Sequence, residues 1–472
     1  MSQPPHNEST DLLSTVDAEG NRIYLHPSHV DGRFHRRRIA VQAILIAFYL
    51  ILPWISVGGH QGLLLDIPRR EFALFGLYLR AHDVPLLLFP VLGFTLLVAL
   101  ITALWGRVWC GWACPQTVFI EAVFRRIEEW LEGSPLQRRQ RDRQPMSPAK
   151  LLRRAAKWSL FLSASLLITH SALALFIGRD RLLQVVTHSP RENWQAFLFI
   201  AAATTVILVD FGWLREQFCL FACPYGRIQS LFVDRDTRTI LYDERRGEPR
   251  KGSRDDGAAG DCVNCFRCVQ VCPTGIDIRR GSGQLECIGC TACIDACDEV
   301  MAKIHKPRGL VRYASEASAR GEKSPWWRPR IALYAGILAV LTGLFGWAIA
   351  HRTPISVTVL KARGEPFERI SDAGGEARIA NRFHAEVSNQ TLADLEVRFS
   401  LPEPDRDSAL VMPGNPFTLH PNEIRQIPFA VEYAQTRFRD GTFHTRLTIT
   451  AHLAEGGEFR SQEEVTLVGP YR

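Results

Sequence analysis

Twelve cysteines set the terms on which this chain can fold. Eight fall into two successive runs, Cys262-x2-Cys265-x2-Cys268-x3-Cys272-Pro273 and Cys287-x2-Cys290-x2-Cys293-x3-Cys297. The other four form two Cys-x3-Cys-Pro pairs, each closing an apolar stretch. The first run has the spacing of a bacterial two-cluster ferredoxin, where three thiolates on a tight loop each grip one iron of a cubane and the fourth, beside Pro, crosses to the other cluster. The pattern predicts two 4Fe-4S clusters, one held by Cys262, Cys265, Cys268 and Cys297, the other by Cys287, Cys290, Cys293 and Cys272. Neither half could complete its cluster alone. Structural zinc also uses Cys-x2-Cys pairs, but eight thiols in duplicate at this spacing argue for iron. The second run ends in Cys297-Asp298 rather than Cys-Pro, which removes a turn-fixing residue and no ligand.

At 472 residues the chain exceeds the usual length of one domain. Five apolar blocks, 39–57, 84–105, 158–177, 194–214 and 331–350, each approach the roughly 20 residues a helix needs to cross a bilayer. They lack one-sided periodicity, Trp residues edge them, and they are nearly free of charge, Asp210 being the exception. Transmembrane helices are therefore expected rather than core helices. Arg33, Arg36, Arg37 and Arg38 precede the first block, and the 121–157 loop holds ten basic against five acidic residues. The opposite loops are poorer, with Arg69, Arg70 and Arg80 in one and Arg179, Arg181 and Arg191 in the other. Cytoplasmic loops carry the excess. The N-terminus, the 121–157 loop and the 215–330 segment are thus expected in the cytoplasm, and the residues after the fifth span on the far side. No cleavable signal peptide is expected, because 38 mostly polar residues precede the first block. Much of the net charge of +7 lies in membrane-flanking loops, where topology and anionic headgroups account for it, so nucleic-acid binding is discounted.

Residues 131–150 and 243–260, rich in Arg, Asp and Gly, read as solvated, mobile connectors. Past Ala350 the texture changes to short strands, at 355–359, 379–387, 395–401, 427–433, 442–453 and 458–468, separated by Gly, Pro and Asn turns. About 120 residues of that kind suggest an all-β immunoglobulin-like sandwich. This tail has no cysteine, so no disulfide holds it. The expected fold class is a multi-domain membrane protein with a five-helix transmembrane domain, a two-cluster ferredoxin-like domain and the sandwich. The expected division is a cytoplasmic tail (1–38), a transmembrane domain (39–242), a ferredoxin domain (243–330), the fifth span (331–350) and a periplasmic β domain (351–472).

An internal repeat carries a second chemical signal. Trp109-Cys110-Gly-Trp-Ala-Cys114-Pro115 aligns with Phe218-Cys219-Leu-Phe-Ala-Cys223-Pro224, each after an apolar span and before an amphipathic helix. Pro suits the first position of a helix, which places Cys114 and Cys223 at N-caps. There the helix dipole and unpaired N–H groups are expected to favour the thiolate. Residues 115–130 show the apolar spacing of a surface helix. If the repeats pack together, Cys110, Cys114, Cys219 and Cys223 could meet, and soft thiolates select Cu(I), zinc or iron–sulfur clusters. Two more residues invite attention: Asp210 as a proton acceptor in quinol oxidation, and His170, whose lack of a partner His argues against haem.

The duplicated Cys-x3-Cys-Pro motifs, the two four-cysteine runs with their stretch from Glu286 to Met301, the fifth span and the β-rich tail resemble the FixG/RdxA/CcoG family of cytochrome oxidase accessory proteins. The resemblance covers nearly the whole chain and includes the Asp after the last cysteine. It implies a bacterial inner-membrane protein for maturation of the cbb3-type oxidase, reducing Cu(II) to Cu(I) for the oxidase copper centre. Cys110, Cys114, Cys219 and Cys223 would then be the catalytic, copper-handling thiols. Implied partners are the lipid bilayer, oxidase subunits or copper-delivery proteins, and a cytoplasmic electron donor. Two rival readings stand beside it: a quinol dehydrogenase feeding ferredoxin clusters, and a non-redox assembly scaffold.

Overall fold

The computed structural model describes residues 24–57, 60–79, 81–251, 260–281, 283–284, 286–371, 377–391, 393–402, 408–421, 423–438, 440–453 and 457–471. Of these, the residues up to 75 together with those from 83 to 345 form one compact unit, and those of 76–82 and 346–471 form a second.

Five helical stretches are long and apolar enough to cross a membrane: Arg33–Trp54, Asp83–Trp105, Pro148–Ile177, Trp194–Leu214 and Pro329–Ala350. Only 6% to 39% of each apolar window is buried, so most of the hydrocarbon they expose is surface for lipid to cover. The first begins six residues before the predicted block, and Arg33 to Arg38 form its opening turns rather than preceding it. Gly32 offers no capping side chain. The carboxylate of Asp295, from the helix Ala292–Lys303, takes over, accepting the backbone N–H of Phe34 at 3.3 Å and of His35 at 2.7 Å. A carboxylate at a helix N-terminus satisfies orphan donors and complements the dipole. The first span is thereby fastened to the cysteine-rich segment. At the far end of the second span, the carbonyl of Ala103 accepts from Thr237 Oγ1 and Arg328 Nη2, and that of Leu104 from the Arg238 N–H.

The two expected connectors are folded where they are described. Ser134 and Gln137 form a capping box that starts the helix Pro135–Arg143, and Arg138 is buried on Glu128. Ser147 caps the third span, which begins at Pro148, ten residues earlier than its apolar block. Within 243–260, Lys251 N–H bonds the Cys262 carbonyl, and Arg246 pairs with Asp261. Residues 252–259 lie outside the described residues. The charge density that read as solvation is consumed by tertiary ion pairs.

The second unit holds a sandwich of β1 (Ile355–Lys361), β2 (Glu368–Ser371), β3 (Ala377–Asn389), β4 (Leu395–Ser400), β5 (Ser408–Val411), β6 (Phe417–Leu419), β7 (Ile424–Ala434), β8 (Asp440–Leu453) and β9 (Glu458–Tyr471). One antiparallel sheet has the order β5-β7-β3-β1, with β2 also on β3, and the other β6-β4-β8-β9. β2, β5 and β6 escape sequence patterning because each has only three or four residues. β3, β8 and β9, at 13 or 14 residues, are longer than predicted. With no disulfide, Phe383 and Phe429 of one sheet and Phe399 and Phe417 of the other form a run of ring contacts through the core. Asn381 of β3 exchanges two hydrogen bonds with Val468 of β9, tying sheet to sheet.

Candidate metal centres

The two cysteine runs repeat a backbone as well as a spacing. Asn264 and Phe266 in the first, and Gly289 and Thr291 in the second, have left-handed φ values of 54°, 57°, 68° and 67°. Non-glycine residues hold such angles only where the surroundings demand it, and successive turns of this kind build concave shells of backbone N–H groups, as around many iron–sulfur sites. Cys262, Cys265, Cys268 and Cys297 line one cavity; Cys272, Cys287, Cys290 and Cys293 line another, with Cys268 bordering both. Burial pushes the thiols of Cys268, Cys287 and Cys297 up to about 12 and Cys290 to about 11, and raises Cys293 as well. Against that, the N–H of Gly289 bonds Cys287 and that of Ala292 bonds Cys290. Such thiols stay neutral until a cation displaces their protons.

The cysteine spacing fits a cluster better than an ion. Around one zinc, thiolates at a Zn–S distance of about 2.3 Å sit about 3.8 Å apart. Among the described residues no trio of cysteines has its sulfurs within 4.8 Å of one another, whereas the ligand atoms of His29, Asp31 and His35 do. That histidine–aspartate group is invisible in the motif pattern. It straddles the start of the first span, with His35 in the helix and His29 and Asp31 before it.

Where the first run has Cys272-Pro273, its helix Arg267–Gln270 has already ended; after Cys297 the helix continues to Lys303. A proline at 298 would break that helix. Asp298 instead stays in it and accepts the Gly309 N–H at 2.8 Å.

Both Cys-x3-Cys-Pro motifs cap helices. Cys114 and Cys223 take extended N-cap angles with Pro at the first helical position. The first helix runs from Pro115 to Glu132 through a π turn at Ile120–Phe124. Its apolar stripe is buried through Val118, Ile120 and Phe124, with Phe119 buried beside it, while Arg126 and Trp130 are exposed. The second lasts one turn, Pro224–Ile228. Further π turns at Asp210–Leu214 and Phe218–Ala222 precede it, and such turns gather at functional sites. The charges of the other three motif thiols all act on Cys219, and that of Cys223 acts on both Cys110 and Cys114, so the structure brings the four near one another. The expectation of a favoured thiolate at Cys114 is overturned. Burial raises its pKa, and the N–H groups of Gln116 and Thr117 offset only part of that. Burial likewise pushes Cys110 up to about 12, with Arg107 opposing, and raises Cys219. Gln229, buried and unremarkable in sequence, puts Oε1 3.9 Å from the Cys110 sulfur.

The motif site and the second cysteine run are in direct contact. Cys110 shares an apolar core with Val271, Ile288, Cys290 and Ala296. A Cβ on Gly111 would fall 2.6 Å from the Ile288 carbonyl oxygen and 2.8 Å from the Cys290 backbone, and one on Gly289 would crowd the Arg107 backbone at 3.1 Å. Glycine alone permits this approach.

Buried ion pairs join the repeats. Arg125 bonds Glu121 and Glu216, and Glu128 accepts from Arg138 at 2.9 Å and from Arg215 at 3.1 Å. Burial alone would raise the Glu128 carboxyl, yet Arg215, Lys157 and Arg138 hold it down at about 2. Asp210 accepts from Gln116 at 2.9 Å, which makes it a tether between repeats. His170 bonds the Leu166 carbonyl of its own helix.

Residues 214–316 match a 4Fe-4S dicluster domain, residues 87–135 a 4Fe-4S binding domain, and residues 345–470 the IG-like fold at the C-terminus of FixG. Spanning helices, cysteine cavities and sandwich together define an iron–sulfur membrane protein of polyferredoxin type. The chain is 34% identical to protein RdxA of Cereibacter sphaeroides over 80% of its length and 82% of that protein's. It is 32% identical to RdxB of the same organism over 86% and 88%, and 36% identical to the nitrogen fixation protein FixG of Rhizobium meliloti over 62% and 57%. The chain belongs to the RdxA/FixG family.

Proposed function

We propose that this protein is a cupric reductase serving cbb3-type oxidase assembly, with Cu(II) as its substrate and the thiols of Cys110, Cys114, Cys219 and Cys223 as the copper-handling groups. The observation that carries the reading is the shared core of Cys110 and Cys290, closed by Gly111 and Gly289. The crossed sets of Cys262, Cys265, Cys268 and Cys297, and of Cys287, Cys290, Cys293 and Cys272, would hold two 4Fe-4S clusters. When bound, these supply single electrons. The chain's own part is to keep the copper site dry and close. Soft thiolates favour Cu(I) over Cu(II), and sites that release their metal need few ligands, so a pair of these sulfurs biases the site toward the reduced ion. Arg107 and the N–H groups of Gln116 and Thr117 help Cys110 and Cys114 release their protons when a cation enters. The Lys and Arg bias supports a cytoplasmic placement of the cysteine runs and a periplasmic sandwich in a bacterial inner membrane.

A second reading is favoured by one finding: the 4Fe-4S match at residues 87–135 includes Cys110 and Cys114. In that case the four motif thiols hold a third cluster, and iron per chain rises from about 8 to about 12.

The test is anaerobic titration of dithionite-reduced, desalted protein with Cu(II), following cluster reoxidation and Cu(I) capture by a chromogenic chelator. Stoichiometric reoxidation that vanishes when all four motif cysteines become Ser is expected. Clusters that stay reduced would end the copper reading, and about 12 iron per chain would install the second.

A further inference from the structure

Between the first span and the helix after Cys114 lies a cavity of about 470 Å³ that none of the cysteine chemistry accounts for. It falls within the usual range of small-molecule sites. His35, Arg38, Gln42 and Ile46 line it from one stripe of the first span, three or four residues apart. Ala43, Ala47 and Leu50 extend the wall along the same helix into its apolar half. The cavity is polar at one end and a hydrocarbon slot at the other.

The polar end is built, and three nitrogens in its wall are without a partner. Arg38 is 6% and Gln42 2% exposed. Among the described residues, Arg38 Nε, Gln42 Nε2 and His35 Nδ1 are buried with no hydrogen-bond partner. Leaving such a group unpaired costs about 1–3 kcal/mol, so an occupant made only of hydrocarbon would be a poor match. An anionic headgroup fits little better. The carboxylate of Glu121 already lies 3.8 Å from Arg38 and is bonded by Arg125, and Arg138 is paired to Glu128. What the site lacks is a pair of neutral oxygen acceptors on a flat ring with a lipid tail. Arg38 also donates Nη1 to the Cys290 backbone carbonyl at 3.3 Å, and Val271, Pro273 and Ala292, neighbours of Cys272 and Cys293, complete the wall.

We infer that this cavity binds a membrane quinol and is where electrons enter the protein. The ring oxygens lie toward Arg38 and Gln42, and the isoprenoid tail runs along Ala43, Ala47 and Leu50. Each quinol loses two electrons and two protons as its two O–H bonds break and it becomes a quinone. Two one-electron acceptors are needed, which the 4Fe-4S clusters that the crossed cysteine sets would hold could supply. The protons leave by the polar end of the cavity, where His29 and His35 line the wall with their rings 5.3 Å apart. Asp210, by contrast, is bonded to Gln116 and lies off this cavity. The role as electron source rests on the electron-transfer reading above; the occupant of the cavity rests on its lining alone.

The probe is an azido-decylubiquinone photolabel on the purified full-length protein, with adducts mapped by mass spectrometry and competed by decylubiquinone. The expected result is labelling within residues 35–50, with roughly tenfold weaker competition in Gln42→Leu, the effect of one lost buried hydrogen bond. Ala43→Phe, which fills the slot, should abolish labelling. Retained cluster absorbance in both variants shows that they fold. His35→Gln should keep the label but slow anaerobic cluster bleaching by decylubiquinol. Adducts elsewhere, labelling untouched by both variants, or competition by phospholipid as effective as by decylubiquinone would overturn the assignment. None of these readouts involves copper, so the quinol site and the copper reading can fail separately.

Discussion

The two units of this chain solve burial in opposite ways. In the first, thiols, guanidinium groups and carboxylates are packed out of water: Glu128, Arg138 and Arg215 are each at most 6% exposed. In the sandwich the interior is hydrocarbon, from Ile379 to Leu467, with a few side-chain amides and hydroxyls as the polar exceptions. All twelve cysteines precede residue 300, and residues 355–471 contain neither Cys nor Trp. A buried charge or thiol is costly unless something answers it. The first unit is therefore stable only as a complete set of partners, whereas the second depends on the sum of many small contacts.

That contrast can be broken most severely at the clusters. Cys297→Ala should remove the cluster in the cavity of Cys262, Cys265 and Cys268, halving cluster absorbance and iron, while the far-ultraviolet β signal of the sandwich persists. Collapse of the sandwich signal as well would show that the units are not separable.

Next comes Glu128→Gln, which leaves Arg138 and Arg215 buried without their counter-charge and should cost about 3–5 kcal/mol at neutral pH. The pH dependence has a definite sign. The carboxyl sits at about 2 in the fold against 4.5 ordinarily, so its stabilisation is complete above 4.5 and lost as pH falls toward 2. The stability gap between variant and parent should narrow over that window. Tryptophan fluorescence reads it without interference from the strands.

Phe399→Ala should cost the sandwich about 3–5 kcal/mol through a core cavity. Unfolding followed by circular dichroism should shift, and the cluster spectrum should not. The smallest effect is expected from Asp298→Pro, which restores the ferredoxin ending yet should destabilise by about 3 kcal/mol, because residue 298 lies inside a helix. An unchanged melting profile would mean that the helix has no need to continue past Cys297.

Legibility in sequence follows the range of the interaction. Apolar blocks revealed the spans because a bilayer demands length and hydrocarbon locally, although Arg33 to Arg38 proved helical because Asp295, 260 residues away from His35, caps the helix. The six longer strands were visible through alternation, and β2, β5 and β6 were too short to alternate. The charged 131–150 segment read as solvated because nothing local announces that Arg138 meets Glu128. Burial of Cys114, which reversed the thiolate preference expected there, is likewise invisible to a motif.

By itself the sequence determined where the thiols and the apolar spans fall: thiol spacing is a property of loops a few residues long, and apolar length a property of single helices. Only the tertiary structure decided which of those groups meet. It joined Cys110 to Cys290 through two glycines, closed ion pairs between the repeats, and left Arg38 and Gln42 facing a cavity. The reason is that burial and pairing are set by residues distant along the chain, and the free energy of a thiol, a guanidinium or an unpaired amide depends on those neighbours far more than on its own place in the sequence.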